Sequence, residues 1–140
     1  MENKIYFLGE TKDFYLAQQL YDLVREDFDI NVRVAVLQKG CEAPCDIDVV
    51  VCEFGENVNT SAKICTSSVG QSNADICGFN FMKREKSRSL DLFSMSFMGR
   101  VNLPVESQFS EASVLYCAAG LVAAGNVLPQ VLKAINAKIS

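Results

Sequence analysis

The stretch LPVESQFSEASVLYCAAGLVAAG, residues 103–125, limits the possible folds more than any other, because an extended run gives way there to a helix with punctuation at both ends. Ser110 fits an N-cap, Glu111 adds negative charge to the first turn, and Gly125 falls where a left-handed C-cap belongs. Between them Ala112, Leu115, Tyr116, Ala119 and Val122 recur at helical spacing, while Ala118, Gly120, Ala123 and Ala124 keep the rest of the surface small. A rod this smooth can be packed on from several sides, so it is expected to be a central helix lying against a sheet. It carries no group that does chemistry.

The segments before it alternate in the manner of an α/β chain. Lys4 to Leu8 reads as a buried strand. Asp13 then stands as the cap of a helix from about Phe14 to Asp27, with Phe14, Ala17, Leu20, Tyr21, Val24 and Phe28 on one face. Ile30, Val32, Val34 and Val36 alternate with Asn31, Arg33 and Ala35, a half-covered strand. Ile47 to Phe54 is a continuous apolar run of the kind covered on both faces, and Lys63 to Thr66 is a further short strand.

The texture changes after residue 74. Asp75 to Met82 and Ser89 to Phe97 read as antiparallel strands joined by the charged turn Lys83 to Ser89, with Arg100 to Val105 as a third strand after a Met98-Gly99 turn. A closing helix begins near Leu128, with Pro129 in its first turn and Val131, Leu132, Ile135 and Ile139 on one side. The expected fold is a single three-layer-like α/β domain over residues 1–140: a parallel βαβ start, an antiparallel hairpin portion and two C-terminal helices.

Charge and composition narrow the function classes. The net charge is -4, with 6 basic and 12 acidic side chains in residues 1–70 and 7 and 5 in residues 71–140. An acidic chain has little long-range attraction for nucleic acid or an anionic membrane, so neither is an expected partner. No apolar run approaches the roughly 20 residues that span a bilayer. The expected compartment is the cytoplasm. A long hairpin with exposed edges in a small apolar-rich domain would favour self-association as a homo-oligomer.

Six cysteines fit a reducing compartment. Cys52, Cys65, Cys77 and Cys117 are scattered singly in apolar segments, where a thiol acts as a small hydrophobe. Cys41 and Cys45 form a CxxxC pair in a connecting loop. Metal binding there, with Cys52 as a third ligand, is the weaker reading, since zinc pairs are commonly CxxC and the chain contains no histidine. A reversible disulfide or a redox thiol at Cys41 or Cys45 is the other chemistry that spacing allows.

Other candidate sites are sparse. Without histidine, Ser/His/Asp and Cys/His nucleophile arrangements are excluded. The nearest analogue of a phosphate loop is Leu8-Gly9-Glu10-Thr11-Lys12, with one glycine and an acidic residue where phosphate would sit. Asp46, Asp48 and Glu53 flank the Val49 to Val51 strand as a magnesium candidate. Lys83, Arg84, Lys86 and Arg88 make the only basic cluster, read as a solvated turn that resists edge aggregation, with an anion or acidic partner as the functional reading.

The order of segments resembles the central domain of Mur ligases, ATP-dependent amide ligases of cell-wall synthesis. The resemblance covers about residues 47–138 and runs through Lys63-Ile64-Cys65-Thr66, Gly70, Ala74-Asp75-Ile76, the two strands to Phe97, Leu103-Pro104-Val105, the segment Ser107 to Ser113, the helix to Gly125 and the helix from Pro129 to Ala137. In that family a G-x-F/H-N-x-x-N segment supplies asparagine to the adenine. Here the glycine position is Ser107 and the asparagine positions are Ser110 and Ser113, which makes these two serines the implied cofactor-side residues. The family's phosphate-binding loop and magnesium-binding glutamate and histidine have no match.

The resemblance therefore implies a stand-alone, catalytically inactive relative that binds a protein or a small molecule, with no catalytic residues, no resident metal and no required cofactor, ATP and magnesium being the ligands to test. The alternative is an atypical receiver or flavodoxin-like signalling or assembly module, which requires parallel strands over residues 75–105.

Overall fold

A computed structural model describes residues 3–8, 12–28, 32–37, 49–53, 63–67, 76–94, 97–123 and 125–139. The elements are β1 (Asn3–Leu8), α1 (Lys12–Val24) continuing into a 3₁₀ turn at Arg25–Asp27, β2 (Val32–Leu37), β3 (Val49–Glu53), β4 (Lys63–Ser67), β5 (Ile76–Lys83), β6 (Ser87–Ser94), β7 (Phe97–Pro104), α2 (Glu111–Ala123) and α3 (Leu128–Ile139). One seven-stranded sheet joins all the strands in the order β2-β1-β3-β4-β5-β6-β7. Its first five members in that order are parallel, and β5, β6 and β7 are antiparallel neighbours. The expected α/β class, with a parallel start, an antiparallel portion and two closing helices, is the observed one. The antiparallel direction of β5 to β7 speaks against the receiver or flavodoxin-like alternative.

The central helix is central. α2 lies against β3 to β6 and touches both α1 and α3, which pack on β1 and β2 and on β7 respectively and also touch each other. Enclosure from several sides explains why every residue from Ser113 to Leu121 is buried. On the α1 side the Phe14 and Tyr116 rings stack with centroids 4.3 Å apart and planes 3° from parallel. Burying Val114, Leu115 and Leu121 contributes about 1.5–3 kcal/mol each, before the cost of ordering the chain.

The end of α2 is set by Gly125 at φ +106°, a conformation that suits a residue without Cβ. Asn126 N–H donates to the Leu121 carbonyl at 3.2 Å and Gly125 N–H donates to the Val122 carbonyl at 3.0 Å. This is the Schellman pattern, in which the last carbonyls of a helix are satisfied by backbone just past its end.

Three boundaries differ from the sequence reading. α1 begins at Lys12, so Asp13 lies inside its first turn and does not cap it. The turn between β5 and β6 is confined to Arg84–Lys86, because Ser87, Arg88 and Ser89 pair with β7 and belong to β6. Met98 and Gly99 are not a turn; they lie within β7. A Cβ on Gly99 would come within 2.5 Å of Leu132 Cδ1, so this glycine marks a close approach of strand and helix.

Among the described residues β4 pairs with β5 through Thr66–Ile76 and Ser67–Cys77, and β5 runs on to Lys83. Its register with β6 shifts between Phe79 and Met82, where Asn80 and Phe81 face the single residue Leu90. Asn80 takes φ 58° there, the left-handed conformation of a bulge more often filled by glycine.

Candidate functional site

In an open α/β sheet the carboxyl ends of the parallel strands are where ligands bind, near the point where strand order reverses. Here that point lies between β1 and β3, and α1 and α2 both begin on that edge. Their first turns are tied together: the Ser110 hydroxyl donates to Asp13 Oδ1 at 2.5 Å. Ser110 Oγ also accepts from the Ser113 N–H at 3.1 Å, making Ser110 the N-cap that its position suggested. The Ser113 hydroxyl donates to the Ser110 carbonyl at 2.7 Å and is fully buried.

Both serines implied by the resemblance are thus brought together at the start of α2, the Ser113 hydroxyl bonded within its own turn and the Ser110 hydroxyl to Asp13 on α1. The arrangement follows from the sequence Ser110-Glu111-Ala112-Ser113, which puts the second serine one turn above the cap.

Glu111, in the first turn of α2, accepts from Arg88 Nη1 at 2.5 Å. The other end of the guanidinium, Nη2, donates to the carbonyls of Ser107 at 3.0 Å and Phe109 at 2.9 Å. Arg88 therefore fastens the segment leading into α2 to strand β6. Arg88 Nε is buried and has no hydrogen-bond partner among the described residues. The sequence reading placed Arg88 in a solvated cluster. A sharper signal was available, since Arg88 lies in phase with Leu90 and Leu92, and period two puts it on their face of the ribbon.

Among the described residues this edge thus carries two carboxylates, Asp13 and Glu111. The donors of an uncapped helix N-terminus and the helix dipole attract phosphate. At α2 one donor is taken by Ser110, and the carboxylates of Asp13 and Glu111 stand beside the two first turns. Two cations stand with them, Lys12 in the first turn of α1 and Arg88 against Glu111. Each carboxylate already has a partner, and among the described residues no group of three His, Cys, Asp or Glu side chains is placed to hold a metal ion.

The remaining candidates separate. Gly9, Glu10, Thr11, Cys41, Cys45, Asp46 and Asp48 lie outside the described residues, and Glu53 is the last residue of β3. Cys52, read as isolated in sequence, is the register partner of Cys65 on the adjacent strand. Cys77 and Cys117 are buried, and burial pushes both thiols above their ordinary pKa, the opposite of what a reactive cysteine needs. Of the basic cluster, Lys83, Arg84 and Lys86 remain exposed. Among the described residues no helix is long and apolar enough to cross a membrane.

No protein-family model matches the chain, and no curated protein does either. Solved structures do. Crystal structure II of MurF from Acinetobacter baumannii matches with TM-score 0.62 at 9% identity, over 96% of this chain and 45% of that one. The UDP-N-acetylmuramoylalanyl-D-glutamyl-2,6-diaminopimelate–D-alanyl-D-alanyl ligase from the same organism matches with TM-score 0.61 at 9% identity, over 96% and 46%. A murein peptide ligase Mpl from Psychrobacter arcticus 273-4 gives TM-score 0.58 at 9% identity, over 98% and 47%. The chain spans just under half the length of these structures and has a Mur-ligase-like fold.

Proposed function

We propose that the chain is a non-catalytic binding module on a Mur-ligase-like fold, whose ligand is a protein or a small molecule other than a nucleotide. The supporting observation is the Asp13–Ser110 hydrogen bond, which holds a carboxylate beside the first turns of α1 and α2. Ligation through an acyl phosphate needs phosphates and metal positioned against developing charge. A carboxylate at that position repels phosphate, and the repulsion falls to Asp13, since Arg88 balances the Glu111 charge.

A thermal-shift panel of ATP, ADP and AMP, with and without magnesium, tests the reading, because a ligand that binds only the folded state raises its melting temperature. No shift is expected at millimolar nucleotide. A shift with ATP and magnesium, together with ATP-dependent phosphate release that Ser110→Ala abolishes, would overturn it.

A further inference from the structure

The bulge in β5 is a feature that the edge between α1 and α2 does not use. Asn80 sits at φ 58°, and its side chain donates to Asp91 Oδ2 at 2.8 Å. Arg100 in β7 grips the same carboxylate, donating from Nε to Oδ1 at 2.8 Å and from Nη2 to Oδ2 at 3.3 Å. A three-strand polar network thus holds one non-glycine residue in a conformation most side chains avoid. Bulges re-aim the residues that follow them.

The residues that follow are Phe81 and Met82, which are 43% and 40% exposed. Next come Lys83, Arg84, Glu85 and Lys86, all exposed. Among the described residues no carboxylate pairs with Lys83, Arg84 or Lys86. A tip that served only to discourage edge pairing needs the lysines but not two exposed apolar side chains beside them. The tip carries a net charge of +2 (three cations, one carboxylate) in a chain of net charge -4. Charge complementarity favours an acidic occupant, and Met82, whose sulfur accepts from Arg84 Nη2 at 4.0 Å, offers an apolar contact beside a cation on one face of the ribbon, while Phe81, whose ring reaches back toward Gly78, lies on the other.

We infer that the β5–β6 hairpin tip is a docking surface for an acidic segment of a partner protein that carries at least one large apolar residue. Lys83, Arg84 and Lys86 attract the segment, Met82 receives its apolar side chain beside Arg84, and the Asn80–Asp91–Arg100 network sets the direction of the tip. The inference rests on the binding-module reading and names its partner class. Nucleic acid is the less suitable polyanion, because the rest of the chain would repel its long run of phosphates.

The test is fluorescence anisotropy of the full chain with a labelled Glu-Glu-Phe-Glu-Leu-Glu peptide, a version with alanine for Phe and Leu, a version with lysine for glutamate, and a labelled single-stranded oligonucleotide. The acidic apolar peptide should bind at least about tenfold more tightly than the other three, and less tightly as salt rises. The double variant Lys83→Glu, Lys86→Glu should lose about tenfold or more with its circular dichroism unchanged. Asn80→Ala should weaken binding without altering any tip residue, and Asn80→Gly, which restores the bulge conformation, should recover most of the loss.

Equal affinity for acidic and basic peptides, tighter binding of the oligonucleotide, or indifference to the charge reversal would overturn the assignment. These outcomes are independent of the nucleotide panel. A positive nucleotide shift with an unresponsive tip, or the reverse, separates failure of one proposal from failure of the other.

Discussion

Asn136, on α3, completes the outer edge of β7 at Asn102. The Asn102 N–H donates to Asn136 Oδ1 at 3.0 Å, and Asn136 Nδ2 donates to the Arg100 carbonyl at 2.9 Å. One amide side chain thereby takes the place of a neighbouring strand at the middle of an edge that would otherwise offer backbone groups to another molecule. Asn136→Leu should leave both groups unpaired. The variant is expected to associate with rising concentration in size-exclusion chromatography with light scattering, beyond any association of the parent chain. Identical mass profiles at all concentrations would show that the edge is protected by other means.

Arg88 joins β6 to Glu111 and to two carbonyls ahead of α2. Arg88→Met removes all three interactions and leaves a half-buried carboxylate without its cation, at a cost of about 2–4 kcal/mol. Arg88→Lys keeps the charge but lacks the planar fork, so it should recover less than half of that loss. Urea midpoints of the three proteins measure both differences.

At Gly99 the steric account makes a paired prediction. Gly99→Ala drives a Cβ toward Leu132 Cδ1 and should destabilise by about 1–3 kcal/mol. Leu132→Ala alone costs about 2–5 kcal/mol through its cavity. Because the new methyl enters the vacated space, the double variant should be more stable than the sum of the single effects by more than about 0.5 kcal/mol. Simple additivity in chemical denaturation would show that strand and helix shift apart instead.

Asp91 supplies the pH dependence. Hydrogen bonding from Arg100, opposed by burial and aided by Asn80 and the Arg100 charge, holds its carboxyl below the ordinary carboxylate range. A folded-state pKa below the unfolded one means stabilisation that is fully present above the unfolded value, near 3.9, and lost as pH falls through the folded one. Arg100→Gln should therefore be less stable than the parent at pH 6, and the gap should close as pH falls below about 4. A gap that stays constant down to pH 2 would place the Arg100 contribution outside this ion pair.

Much of the architecture was legible in local pattern. Ser110 and Gly125 bracket α2 as caps because their backbone and side-chain chemistry acts within a turn or two of the chain. The buried faces of α1 and α3, Phe14 through Val24 and Val131 through Ile139, follow from helical spacing alone. Short turns and charged residues between apolar runs identified the antiparallel ribbon for the same reason. The order of segments was enough to point to the Mur-ligase-like fold.

What misled was residues whose role lies at a distance. Gly99 looked like a turn because glycine is permissive, and only the approach of Leu132 shows that the missing side chain was the point. Asp13 looked like the cap of its own helix, yet its partner is Ser110, far along the chain. Arg88 appeared solvated beside Lys86 until β6 turned it toward Glu111. Caps, periodicity and turns are short-range physics and can be read along the chain. Which carboxylate meets which hydroxyl, which cation is drawn inward and which glycine makes room for a leucine depend on atoms brought together by packing, so only the tertiary structure decides them.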